Sequence, residues 1–204
     1  MTKRRIHRVL AGLLGLFILG HLMVHLSALW GIEAHLLALS LMRNAYRNVL
    51  IEPLLLLAIM AQIYTGVGFL RRRWRMRGRN LWLKIQLFSG GYLVFFMLNH
   101  TVAALLTRYG LGLDTNFYWA AATVNISPFK WFFAPYYALA IIAIFAHIGA
   151  SLQQKQVRVG LVALIAGPAI AGLILVAFMG GLYEIDLPAA YQDYFRSLAD
   201  FGWG

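Results

Sequence analysis

The chain has 204 residues, of which 61% are hydrophobic and only 12% charged. A soluble domain of that length cannot hide so much apolar surface, which excludes an ordinary cytosolic enzyme, a disordered tail and a secreted disulfide scaffold. The absence of cysteine also removes disulfides, cysteine-ligated iron–sulfur clusters, covalently attached c-type haem and cysteine-based zinc sites.

In chain order, five apolar stretches reach the ~20 residues that a transmembrane helix needs: 9–29, 49–70, 85–106, 132–152 and 159–179. The first follows Lys3-Arg4-Arg5. Its apolar run exceeds that of a signal peptide and no small-residue cleavage site follows, so it reads as a retained helix. Residues 31–48 mix Leu36, Leu37, Leu39, Leu41 and Met42 with polar groups, the pattern of a short interfacial helix. Residues 110–131, with Asn125-Ile126-Ser127-Pro128 and several aromatics, read as a long external loop capping the bundle at headgroup level. The last stretch, 183–204, is acidic, aromatic and too polar to span. The expected architecture is an all-α, five-helix transmembrane bundle over 1–182 with an extracytoplasmic tail over 183–204.

Orientation follows from the charges. With the N-terminus inside, the cytoplasmic side receives Lys3, Arg4, Arg5, Arg8, Arg71, Arg72, Arg73, Arg75, Arg77, Arg79, Lys84, Lys155 and Arg158. Outside fall Arg43, Arg47, Arg108, Lys130 and Arg196, with all seven acids: Glu33, Glu52, Asp114, Glu184, Asp186, Asp193 and Asp200. The N-terminus is therefore cytoplasmic, the C-terminus outside, and the chain a multi-pass protein of the cell inner membrane. The net charge of +11 belongs to this asymmetry, not to nucleic acid. The arginine run at 71–79 reads as an anchor on anionic lipid or as a dock for a cytoplasmic partner.

An ionisable side chain within the hydrocarbon is expensive and by default a functional hypothesis; a single histidine there also reads as a packed residue bonded to a backbone carbonyl, but three spans carry one. Of the six histidines, His21 and His25 fall in the first span, His100 in the third and His147 in the fourth; His7 sits at the inner boundary and His35 in the outer connection. At 1.5 Å per residue, His21 lies ~13 Å and His100 ~10 Å below the outer ends of their helices. Two imidazoles at matched depth on facing helices are what a haem iron requires. His147 lies deeper, at ~22 Å, and at ~20 Å the second span offers Gln62 in place of a histidine. The sequence thus contains one complete candidate ligand pair, His21 and His100, and one half pair. His25 shares a face with His21 and reads as an alternative ligand, a propionate contact or an interhelical hydrogen bond. Gly12, Gly15, Gly20, Gly66, Gly68, Gly90 and Gly91 suit either helix packing or the approach of a flat cofactor.

From Arg5 to Leu152 the chain resembles the five-helix membrane cytochrome b subunit of succinate dehydrogenases and fumarate reductases. The resemblance rests on Ile6-His7-Arg8-Val9 through Gly12, Gly20-His21-Leu22, Gln62-Ile63-Tyr64-Thr65-Gly66, Leu98-Asn99-His100 and Phe145-Ala146-His147-Ile148-Gly149. It implies haem b between His21 and His100. A second haem would need a partner for His147, where Gln62 departs from the family's histidine and His7 is the substitute within reach. Quinone sites of the family use polar groups near a helix end, which makes His7, Arg8 and Glu52 the candidates. The implied role is a membrane anchor passing electrons between quinone and flavin and iron–sulfur subunits on the cytoplasmic side, with no catalysis by this chain alone. The alternatives are a non-enzymatic haem-binding module, as a redox or quinone sensor or an assembly subunit, and a haem-free bundle that retains only the architecture.

Overall fold

The computed structural model describes residues 2–76, 78, 80–153 and 156–203. Arg77, Arg79 and Lys155 of the cytoplasmic basic set lie outside them, as do Met1, Gln154 and Gly204. Among the described residues the chain is all-α. In order come α1 (Lys3–Ser27), α2 (Ile32–Tyr46), α3 (Ile51–Trp74), α4 (Leu81–Leu105), α5 (Phe117–Asn125), α6 (Lys130–Leu152), α7 (Val157–Phe178) and α8 (Ala189–Trp203). The five expected spans fall in α1, α3, α4, α6 and α7, and these five are long and apolar enough to cross a membrane. Asn80 sets the start of α4, its side chain accepting from Leu83 N–H at 2.8 Å, a capping role that Asn fills well.

The long helices alternate in direction. Gln86 at the start of α4 meets Arg73 at the end of α3 and Ser151 at the end of α6, while Glu52 at the other end of α3 pairs with Arg108 beyond α4. The tightest joint is between α6 and α7. A Cβ on Gly149 would stand 2.8 Å from the Gly160 carbonyl oxygen. Both backbones therefore need glycine for this approach, the small-residue packing typical of helices in lipid.

Two connections differ from their reading in the sequence. Residues 110–131 are not a loop throughout, because 117–125 form α5, and Phe117, Ala121, Ala122, Thr123 and Val124 are among the most buried residues of the protein. Asn116 starts this helix, accepting from Tyr118 N–H at 2.9 Å. Its alanines then let it sink against Phe178 and Ile141 in the main core. The second difference is α2, which is helical as expected but folds back antiparallel along α1. Ser27 meets Ala34, Gly20 meets Met42, and Phe17 meets Tyr46. Gly31 makes the reversal, with φ of 120°, a conformation open chiefly to glycine.

The C-terminal segment packs onto the same end of the bundle. Tyr183 donates to the Ala28 carbonyl at 2.6 Å. Tyr191 donates to the Asp114 carbonyl at 2.9 Å, and Tyr191 and Phe195 bury against Trp119 and Ala122.

Candidate functional site

The layer between α1 and α4 holds the expected pair. The His21 and His100 rings approach to 6.1 Å between centroids, at 62°. Phe96, one turn before His100, stacks on it at 5.0 Å and 12°, and Tyr137 of α6 meets it edge-on at 6.3 Å. His21 is flanked by Phe17 at 5.9 Å. One turn further out, His25 places its Nε2 3.1 Å from Nε2 of His21.

The fold adds a residue that the sequence did not assign to the site. By turning back, α2 brings His35 to 5.7 Å from His25, ring to ring. His35 is only 2% exposed. Phe117 and Phe178 close around it edge-on at 5.4 and 5.3 Å, and Phe178 also meets His25 at 5.4 Å. Burial, aided by the positive charge of Arg43, lowers the His35 pKa to about 4, so the ring is neutral at physiological pH. A signal for His35 exists in the sequence: His35, Leu39, Met42 and Tyr46 recur at helical spacing behind a glycine.

A second polar layer lies toward the basic end. Thr65 Oγ1 donates its only proton to the Ala61 carbonyl at 2.9 Å. It must therefore accept at 2.8 Å from the Nδ1–H of His7, which leaves the His7 lone pair on Nε2. Gln62 Nε2 faces that lone pair at 3.5 Å. His147 is fixed in the same way. Ser89 Oγ donates to Ile85 at 2.7 Å, so Nδ1–H of His147 is shared between Ser89 Oγ at 3.3 Å and the Gln86 carbonyl at 3.2 Å. Both imidazoles thus hold the tautomer in which Nε2 can act as a ligand. Gln62, the residue expected to face His147, instead bonds to His7. Gly90 makes room for the His147 ring, since a Cβ there would lie 3.0 Å from its Cε1.

The three expected quinone residues do not form one site. His7 is engaged with α3, and Arg8 is exposed. Glu52 lies at the opposite end of the bundle, held by Arg108 and by Tyr109 Oη at 3.2 Å. A cavity of about 220 Å³ instead opens at the basic end, lined by Arg73, Asn80, Trp82, Leu83, Gln86 and Ala150 among others. Gln86 links this cavity to His147.

The chain matches no protein-family model, no curated protein and no solved structure compared with it. Among the described residues no group of three or more His, Asp or Glu is arranged to chelate a bare metal ion. A haem brings four nitrogens of its own and asks the protein for two axial ligands. Two metal–imidazole bonds of about 2 Å each, plus the offset of each nitrogen from its ring centre, separate the centroids by about 6 Å. The His21–His100 separation fits that requirement. To meet the iron, the His21 ring must turn its Nε2 away from His25.

Proposed function

We propose that this chain is the membrane-anchor b-type cytochrome subunit of a quinone oxidoreductase of the succinate dehydrogenase/fumarate reductase kind. The observation that carries the reading is the 6.1 Å approach of His21 to His100 from helices that otherwise pack mainly on other neighbours. In this reading His21 and His100 hold one haem b. Phe96 and Tyr137 fix the His100 ring, and the apolar helices exclude water. When bound, the haem supplies one-electron transfer. The cavity beside Arg73, Trp82 and Gln86 is the better quinone candidate, because His7, Arg8 and Glu52 are dispersed. Arg73 and Gln86 would orient the headgroup by hydrogen bonds, next to the layer of His7 and His147.

The five spans cross the cell inner membrane with the basic end inside and the C-terminus outside, as the charge asymmetry requires. Lys3, Arg4, Arg5, Arg71, Arg72 and Lys84 then face anionic lipid and the flavin and iron–sulfur partners. With no cysteine, this chain leaves iron–sulfur chemistry to those partners. A second reading, a haem-binding module without dehydrogenase partners, is favoured by Gln62, whose amide bonds to His7 and leaves His147 without a matched axial partner.

The test is a dithionite-reduced minus oxidised spectrum of the detergent-purified protein with a pyridine haemochrome assay. One haem b per chain is expected, lost in His21→Ala and in His100→Ala and kept in His147→Ala. No haem absorbance in either redox state refutes both readings and leaves a bundle that shares only the architecture. Copurification of flavin and iron–sulfur subunits from the native membrane separates the first reading from the second.

A further inference from the structure

The two spans least covered by the rest of the chain are α3 and α4, and their exposed faces carry two polar side chains at membrane depth. Tyr64 of α3 is 71% exposed, and its hydroxyl has no hydrogen-bond partner among the described residues. Along the helix axis it stands ~10 Å from Arg71 and ~18 Å from Glu52. Asn99 of α4 is exposed too. Its Nδ2 donates to the Phe95 carbonyl at 2.8 Å, while its Oδ1 meets no donor among the described residues. It lies ~13 Å from Arg108 and ~22 Å from Lys84. Lipid tails offer neither group a partner, so an open donor and an open acceptor there are costly, and a neighbouring helix can satisfy both.

The two groups match in height. Arg73 meets Gln86 at one end of the α3–α4 pair, and Glu52 meets Arg108 at the other. Tyr64 is therefore level with Phe95, and Asn99 with Met60, one turn apart. Side chains lean toward the N-terminus of their own helix, so Tyr64 leans to the Glu52 end and Asn99 to the Gln86 end, which narrows that difference. Sideways they stand apart. Gly91 and Val94 of α4 face α3, whereas Phe95 faces Tyr136 of α6, and Asn99 follows Phe95 by one turn. Gly68, exposed and with nothing near a Cβ, leaves a notch one turn from Tyr64 where another helix can come close.

We infer that the α3–α4 face docks a second copy of this chain, the Tyr64 hydroxyl of each copy donating to Asn99 Oδ1 of the other. The charge asymmetry orients every copy alike, so the two-fold axis runs along the membrane normal and keeps each residue at its own depth. In such an isologous contact residue i meets residue j of the other copy while j meets i. A donor at one edge of the face and an acceptor at the other, at matched height, is a pattern that satisfies itself twice. A foreign helix would have to supply both complements, whereas a second copy already carries them. The inference does not depend on the haem reading, because it uses no residue of the histidine layers.

The experiment measures the association of the full-length protein in liposomes, by energy transfer between copies labelled at the N-terminal amine and diluted with lipid. A monomer–dimer equilibrium is expected. Tyr64→Phe, which removes only the hydroxyl, and Asn99→Leu should each weaken it roughly tenfold or more, since each removes both hydrogen bonds of the dimer. The double variant should be no weaker than either single one, because all three lack the same bonds. Ile165→Ala, on the exposed face of α7, should leave the equilibrium unchanged. Wild-type monomers at every dilution, or a dimer indifferent to both substitutions, would mean that lipid covers this face, and the inference falls. Losses that add in the double variant would show that Tyr64 and Asn99 do not pair, and a loss in Ile165→Ala as large as theirs would move the contact to another face; either result overturns it.

Discussion

His35 offers the sharpest test of how the fold treats its buried polar groups. In the unfolded chain a histidine titrates near 6.5, whereas in the fold burial lowers His35 to about 4. Between those two values the unfolded state binds more protons than the folded one, so stability rises with pH across that window and is lost as pH falls through it. Integrating the difference for this one group gives a loss of about 2 kcal/mol by pH 5 and about 3 kcal/mol by pH 4. Because His35 is nearly inaccessible, little solvent screening reduces that figure. The assay is thermal or denaturant unfolding of the apoprotein in detergent at pH 7.5, 6, 5 and 4, wild type against His35→Phe. The wild type should lose stability relative to the variant by that increment as the pH drops. The comparison isolates His35 from the other histidines, which both proteins share. Parallel curves for the two proteins would refute the claim that His35 is held neutral by burial.

Three further outcomes follow from close contacts. Gly90→Ala should destabilise by about 1–3 kcal/mol, because its Cβ would crowd the His147 ring at 3.0 Å; Gly12→Ala, with open space beside it, should shift the unfolding midpoint little, and equal effects would argue against the packing described. Thr65→Val keeps the shape of the side chain but removes the acceptor of His7 Nδ1–H, at an expected cost of about 1–3 kcal/mol. That cost should shrink in the His7→Phe background, a double-mutant cycle that fails if the two effects simply add. Glu52→Gln leaves Arg108 without its carboxylate at a site where both side chains are mostly buried. It should lower stability by about 2 kcal/mol with little change at high salt, and a strongly salt-dependent effect would mean that the pair is solvated.

The five long helices could be read from the sequence because apolar run length is a local property that lipid-sized spans impose directly. Their order and the concentration of arginine at one end were equally local. The short helix α5 escaped this reading for a physical reason. Phe117–Asn125 is too short to register as a span, and its burial depends on the distant partners Phe178 and Ile141, not on its own periodicity. Asn116 as a cap was the available signal, yet a cap marks where a helix begins and not whether it is covered.

The candidate site divides along the same line. His21 and His100 were found by depth, since helical rise converts residue number into height without any knowledge of packing. Depth also put Gln62 and His147 near one another in height, but it could not say that Gln62 turns to His7 or that Thr65 and Ser89 fix the two imidazole tautomers. Those facts depend on azimuth and on which helices are neighbours. His35 was hidden most completely, because a surface helix and a re-entrant one carry the same leucines, and only the conformation of Gly31 decides between them. A single glycine with φ of 120° therefore turns an ordinary connection into a wall of the site and converts a histidine of the outer loop into one of its most buried polar groups. Replacing Gly31 by a β-branched residue tests that chain of cause, since it should disorder α2 and expose His35 while the His21–His100 pair, held by α1 and α4, stays in register.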